Sequence, residues 1–168
     1  MLYGHIETNE ERVDHMLRAR ALQDETGGFQ AFIPLAFHPD NNQMRKLPAP
    51  TASDTLRVHA VVAADAATTS PHVKAFWIAT GVEVAQTALW FGVDDLDGTV
   101  QEEKIYHMAG ARTPEAMTTR QLERLVARGG PRAGRARHAL QRRPRARLRV
   151  APGSSRKWEC PPPRVLYF

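Results

Sequence analysis

The strongest constraint on this chain is a recurring pattern in which an apolar run stops in glycine or polar residues and hands over to a helix. It appears at Met1–Thr8 and again at Phe29–His38, His72–Gly81 and Val93–Thr99. Nearly unbroken apolar runs mark strands covered on both faces, as in parallel sheets. Strands alternating with helices imply parallel neighbours joined by right-handed crossovers. Four such units make about half of an eight-stranded βα barrel, whose chemistry gathers at the C-terminal strand ends. The chain is expected to begin in mid-architecture. A small doubly wound sheet is the competing α/β arrangement, although Thr80-Gly81-Val82-Glu83 has one glycine and no P-loop lysine.

Local signals place the helices. Thr8-Asn9-Glu10-Glu11 has capping-box spacing, and Thr26-Gly27-Gly28 supplies a stop, so a helix runs between them with Val13, Met16, Leu17 and Ala21 inward. In the strand from Phe29 to Phe37, Pro34 cannot donate to a ladder, so pairing is expected mainly before it. Residues His38–Pro50 form a long loop, Asp54–Ala67 a weakly patterned helix, and His72–Ala79 a strand. Val82–Phe91 reads as a helix stopped by Gly92, and Thr113-Pro114-Glu115 as the cap and first turn of another running to about Val126.

Charge divides the 168 residues in two. Residues 1–127 hold 11 Lys and Arg against 17 Asp and Glu, a net of −6, whereas residues 128–168 hold 12 against 1, a net of +11. An acidic body therefore carries a basic tail. The single cysteine, Cys160, excludes an internal disulfide framework. No stretch reaches the ~20 apolar residues of a bilayer span, and no signal-peptide pattern is present, so a cytoplasmic protein is expected.

At the expected strand ends stand His5, Glu7, His38, Asp40, Asn41, Asn42, Thr80, Glu83, Asp95, Asp97 and Thr99. Bland readings accompany them: Glu7 and Thr8 as helix caps, His38 as the start of a turn with Pro39, Asp94–Asp97 as a solvated loop. A metal held by one histidine and two carboxylates fits these long spacings poorly, and no metal site or catalytic residue is assigned.

The run Leu2-Tyr3-Gly4-His5-Ile6-Glu7 resembles the fifth-strand G-x-I-x-G-x-x-E motif of radical S-adenosylmethionine (SAM) enzymes, keeping its last glycine and glutamate. Tyr3–Thr8 with Glu11-Arg12-Val13, Asp24–Phe29, Phe32–Pro39, Asp94–Val100, Glu102–Ile105 and His107–Gly110 resemble one branch, the aminofutalosine synthases of the futalosine route to menaquinone. The resemblance covers most of residues 1–127. It implies the C-terminal half of a (βα)8 TIM-type radical SAM barrel, and a transferase joining an adenosyl radical to 3-[(1-carboxyvinyl)oxy]benzoate to give aminofutalosine. It also implies a 4Fe-4S cluster and SAM as cofactors, with Gly4, His5 and Glu7 bordering the SAM adenosyl group and His38, Asn41, Asp95 and Asp97 facing the small-molecule substrate. The family's C-x-x-x-C-x-x-C is missing, so this chain alone is expected to be inactive.

Two domains are thus expected: a partial barrel at 1–127 and an Arg/Pro-rich, disordered tail at 128–168. The tail's composition is that of GC-rich codons, and shifting Ala133–Arg145 by one nucleotide permits a run much like the family's, so it reads as out of frame. The alternative is a non-catalytic βα scaffold with a basic arm that binds nucleic acid non-specifically through phosphates. No membrane partner is expected.

Overall fold

A computed structural model describes residues 1–66, 72–129, 132–135 and 164–167; of Ala66 and the last two segments only the backbone is described. Four short strands alternate with helices: β1 Leu2–Tyr3, α1 Asn9–Thr26, β2 Leu35–Ala36, α2 Ala52–Ala66, β3 Lys74–Ala75, α3 Trp77–Thr80, α4 Val82–Ala88 and β4 Asp95–Leu96. A 3-10 turn, Leu89–Phe91, precedes β4; α5 Ile105–Met108, α6 Thr119–Gly129, β5 Arg132–Arg135 and β6 Arg164–Tyr167 follow it.

Every ladder is parallel. β1 pairs with β2, and β3 with β4, while a single bridge between Phe32 and Val73 joins the two pairs into the order β1-β2-β3-β4. Within these four strands the order never reverses, unlike a doubly wound sheet. α1 packs on α2, α2 on α4 and α4 on α6, so the helices follow one another across one face as the strands do.

Pro34 accounts for the weak joint, and it corrects the expectation that pairing lies before it. On the β1 side, after the proline, Leu35 N donates to Met1 O at 2.7 Å and Phe37 N to Tyr3 O at 2.9 Å. On the β3 side Phe32 N donates to His72 O at 2.9 Å. The next donor facing β3 belongs to residue 34, and proline has none, so that ladder shrinks to one bridge.

Register assigns the faces. Tyr3, Ala36, Ala75 and Leu96 alternate with Leu2, Leu35, Lys74 and Asp95. The first set joins Val58, Val62, Trp77, Ile78, Leu89, Leu122 and Val126 in one apolar core under the helices.

Other expectations need correction. The run His72–Ala79 is strand only at Lys74–Ala75, because Phe76 O accepts from Ala79 N and Thr80 N and starts a helical turn at Trp77. The buried indole then donates to Gly98 O at 3.1 Å. Thr113 caps no helix; its Oγ1 donates to Ile78 O at 3.1 Å. α6 begins instead at Thr119, where Thr118 and Gln121 exchange the reciprocal bonds of a capping box.

The Thr8–Glu11 capping box and the left-handed Gly27 stop of α1 form as the spacing predicts. Its inward stripe does not: Met16 and Gln23 are buried, but Val13 is 44% and Leu17 52% exposed, and Ala21 is exposed too. α1 has a helix neighbour, α2, on one flank, and β1 pairs only with β2 among the described residues. An uncovered apolar stripe beside an open strand edge favours association. We expect the free chain to self-associate and Val13→Lys/Leu17→Glu to shift it toward monomer in sedimentation velocity; a monodisperse parent chain would contradict this.

Of the basic tail, the structure describes the backbone of β5 and β6: β6 pairs in parallel with β4 and with β5. The unpaired backbone edge of β4 is the template for that addition. Residues 130–131, 136–163 and 168 of the tail, and residues 67–71 between α2 and β3, lie outside the described residues.

Candidate functional site

After β1 the chain turns at Gly4, with φ +89°, and an added Cβ would lie 2.7 Å from Pro50 Cγ. Glu7 organises this turn. Its Oε1 accepts from Gly4 N at 2.5 Å and Arg12 Nε at 2.6 Å; its Oε2 accepts from His5 N at 3.1 Å and touches the His5 ring at Nδ1. Burial alone would raise the Glu7 pKa, but the backbone donors and Arg12 outweigh it and hold the carboxyl at about 2. The stabilisation is therefore present above the unfolded value of 4.5 and is lost as pH falls toward 2. We expect Glu7→Ala to cost about 2–3 kcal/mol at pH 7 through lost charge-assisted bonds, and Gly4→Ala about 2–4 kcal/mol through a left-handed, crowded position. Thermal unfolding checks both, and an unchanged Tm for either would remove the turn from the account.

The loop after β2 is tied to its neighbours. His38 Nε2 sits 2.8 Å from Ala79 O, so this nitrogen carries the proton, and the ring meets Tyr106 edge-on at 5.2 Å. Asn41, at φ +56°, donates from Nδ2 to Met108 O at 3.0 Å. Asn42 donates to His38 O at 2.8 Å and accepts from Met44 N at 2.7 Å, closing the loop on itself. Phe76, just past β3, meets the same Tyr106 ring at 5.5 Å. The loops that follow β2, β3 and β4 thus touch one another at the C-terminal ends of the strands.

A second cluster lies on the sheet face opposite the helix core. Lys74 Nζ is 3.1 Å from Asp95 Oδ2 and donates to Asp97 Oδ1 at 3.2 Å. Its approach to Asp95 Oδ2 is an ion pair, and among the described residues Asp95 Oδ1 has no hydrogen-bond partner. Asp95 is fully buried. That burial pushes its pKa up to about 7, against the pull of Lys74 and with a push from Asp97 and Asp94. A buried carboxyl raised toward neutrality beside a lysine and two further carboxylates is a perturbed group of the kind found at functional sites. Asp94 faces elsewhere. It accepts from Val73 N at 2.8 Å and lies 3.0 Å from His72 Nδ1, locking the entry to β3.

Of the strand-end residues singled out in the sequence, Gly4, His5 and Glu7 form one turn, His38 and Asn41 one tied loop, and Asp95 and Asp97 share Lys74. Thr80 bonds Phe76 O within its own turn, and Glu83 is an exposed first-turn acid of α4. Lys74 was missed, though a lone cation inside the apolar run 72–79 is a signal that a carboxylate faces it. Tyr106 was missed because no strand or helix period marks it.

A family profile described as the CofH/MqnC C-terminal region matches residues 26–139. The chain belongs to the CofH/MqnC family. Similar relatives include the aminodeoxyfutalosine synthase of Thermus thermophilus, 52% identical over 134 residues, and that of Streptomyces coelicolor, 44% identical over 143 residues; each match covers 77% of this chain and 36% of the relative. The 5-amino-6-(D-ribitylamino)uracil--L-tyrosine 4-hydroxyphenyl transferase 1 of Methanosarcina acetivorans is 37% identical over 163 residues, 94% of this chain and 42% of the relative. The chain thus spans little more than a third of the length of the curated CofH/MqnC relatives it matches. Among the described residues no helix is long and apolar enough to cross a membrane.

Proposed function

We propose that this chain is the C-terminal part of a radical SAM transferase of the futalosine pathway to menaquinone, joining the adenosyl group to 3-[(1-carboxyvinyl)oxy]benzoate to give aminofutalosine, with methionine left from SAM and the carboxyvinyl carboxyl lost as bicarbonate. The observation that carries the reading is the 52% identity to the Thermus thermophilus aminodeoxyfutalosine synthase. Support comes from the parallel order β1-β2-β3-β4 with helices following on one face, which suits the last four units of a (βα)8 barrel. The open edge of β1 and the Val13/Leu17 stripe are then where the remaining units pack.

The residues do not fit a 4Fe-4S cluster. A cluster needs several thiolates, the chain has one cysteine, and the described residues contain no group of three His, Cys, Asp or Glu side chains able to hold a metal. No step is derived through it. SAM is a better fit: when bound it supplies the adenosyl group, and Gly4, His5 and Glu7 would border that group at the turn after β1. Glu7 acts there by holding Gly4 and His5 in place, since its oxygens are committed to the turn. His38 and Asn41 line the substrate side. Lys74 keeps Asp95 and Asp97 together, and Asp95 takes up or releases a proton near neutral pH.

The test is anaerobic incubation of the purified chain with iron, sulfide, reductant and SAM. We expect no 5′-deoxyadenosine, because the thiolates must come from another polypeptide segment; turnover by the chain alone would overturn this division of labour.

A further inference from the structure

We propose that the imidazolium of His107 is the clasp of a strap, Glu103–Thr113, which closes over the C-terminal ends of β2 and β3, sets Tyr106 there, and loosens when the ring loses its proton. The clasp goes beyond the functional reading above and does not depend on it.

The ring stands across the neck of the strap. Its Nδ1 is 2.6 Å from Glu103 O, and its Nε2 is 3.0 Å from Thr113 O. A carbonyl oxygen only accepts, so both contacts are hydrogen bonds only when the ring donates from both nitrogens. The cation does this, and neither neutral tautomer can. With one proton gone, a lone pair faces a carbonyl oxygen and one end of the neck gives way. The longer contact, to Thr113 O, is the end that opens. The His107 side chain is 20% exposed, enough to exchange its proton with solvent.

The surroundings favour the cation. The carbonyls of Thr113 and Glu103 raise the His107 pKa above its ordinary 6.5, and the Glu103 and Glu115 carboxylates add to them against slight desolvation. Glu103 Oε2 lies 3.6 Å from Nδ1. On the neighbouring loop after β2, Asp40 packs on Gly110, and Arg45 and Lys46 share with Arg112 a cleft between that loop and the strap. These charges do not reverse the upward shift. With the folded pKa above the unfolded one, the contribution of the clasp is fully present below 6.5 and is lost as pH rises through the folded value.

The residues beside the clasp reach the strand ends. Tyr106 meets His38 edge-on at 5.2 Å and Phe76 at 5.5 Å, and burial pushes its pKa to about 12, so it stays neutral while His107 titrates. Met108 O accepts from Asn41 Nδ2 at 3.0 Å, and Thr113 Oγ1 donates to Ile78 O at 3.1 Å. The root at Glu103 is fixed, because its carboxylate caps α5 by accepting from Ile105 N and Tyr106 N, each at 2.9 Å. Glu102 and Gly110 adopt left-handed backbone, at φ +55° and +93°. That conformation is strained at a glutamate, and such strain gathers at segments that switch.

The experiment follows amide hydrogen exchange of the full 168-residue chain by mass spectrometry from pH 5.5 to 8.5, with rates corrected for intrinsic pH dependence and α2 as internal control. We expect protection across 104–113 to fall by about fivefold relative to α2 as pH rises, with a midpoint above 6.5. His107→Asn keeps a donor where Nδ1 stands and His107→Gln one where Nε2 stands, and neither titrates. Both should give protection that does not change with pH, His107→Asn at the level of the parent at pH 8.5. Asp95 titrates in the same range but is retained in both variants, so a dependence due to it would survive the substitutions. Parent protection that is flat with pH, turns at or below 6.5, or falls equally in α2 overturns the proposal, and this profile decides by itself should a variant fail to fold. Variants that keep the parent's pH dependence overturn it too.

Discussion

Replacing Lys74 by Met should destabilise the fold by about 1–2 kcal/mol at pH 8, because Asp95 then stays protonated and the charged form that Lys74 favours is lost. Asp95 is fully buried, and Lys74 Nζ at 3.1 Å is the cation beside it. At pH 5 the same change should cost much less, because Asp95, already raised to about 7 with the lysine present, protonates and no longer needs the partner. The sign follows from the folded pKa lying above the unfolded 3.8: the protonated form is favoured on folding, so this group's contribution is largest at low pH and is lost as pH rises through 7. Asp95→Asn removes the titration while keeping the shape. It should raise stability at pH 8 by roughly 2–4 kcal/mol relative to the parent, leave it almost unchanged near pH 4, and rescue Lys74→Met. Urea unfolding at pH 5 and pH 8 reads the parent, both single variants and the double variant. A Lys74→Met penalty that is equal at both pH values would show that Asp95 is not the group Lys74 serves.

The βα grammar was legible because a parallel strand buried on both faces leaves a short apolar run, and helix starts leave caps such as Thr8–Glu11. Element lengths were not. Phe76 and Trp77 are as apolar as strand residues, and only the carbonyl of Phe76 accepting two later donors makes the chain coil there. Two capping signals competed between Thr113 and Gln121, and the one with reciprocal side-chain bonds prevailed. In the site, Asp95 and Asp97 were visible as carboxylates at a strand end, but their partner Lys74 lay inside the preceding strand. Arg45 and Lys46 are far from Arg112 in the chain, and only the fold brings them to one cleft. The exposed Val13 and Leu17 show a different limit: helical periodicity identifies an apolar stripe but not the neighbour that covers it.

Activity should be all or none with respect to the cluster-binding segment. The chain has one cysteine, and the region shared with the aminodeoxyfutalosine synthases is 36% of their length. Joining residues 1–129 to the part of the Thermus thermophilus aminodeoxyfutalosine synthase that precedes its matched region should, on the proposed half-barrel reading, give the β1 edge and the Val13/Leu17 stripe a partner. The chimera should be soluble where the chain alone self-associates. Within it, Asp95→Asn should flatten the pH dependence of kcat near neutrality while leaving SAM binding intact, whereas His5→Ala should weaken SAM binding first.

The decisive measurement is mass-spectrometric detection of the product when the anaerobic chimera is given SAM, reductant and 3-[(1-carboxyvinyl)oxy]benzoate. The account predicts aminofutalosine from the chimera and none from residues 1–129 alone. A chimera that binds its cluster and releases 5′-deoxyadenosine yet forms no aminofutalosine would contradict it, because the strand-end loops supplied by this chain would then not be those of an aminofutalosine-forming enzyme.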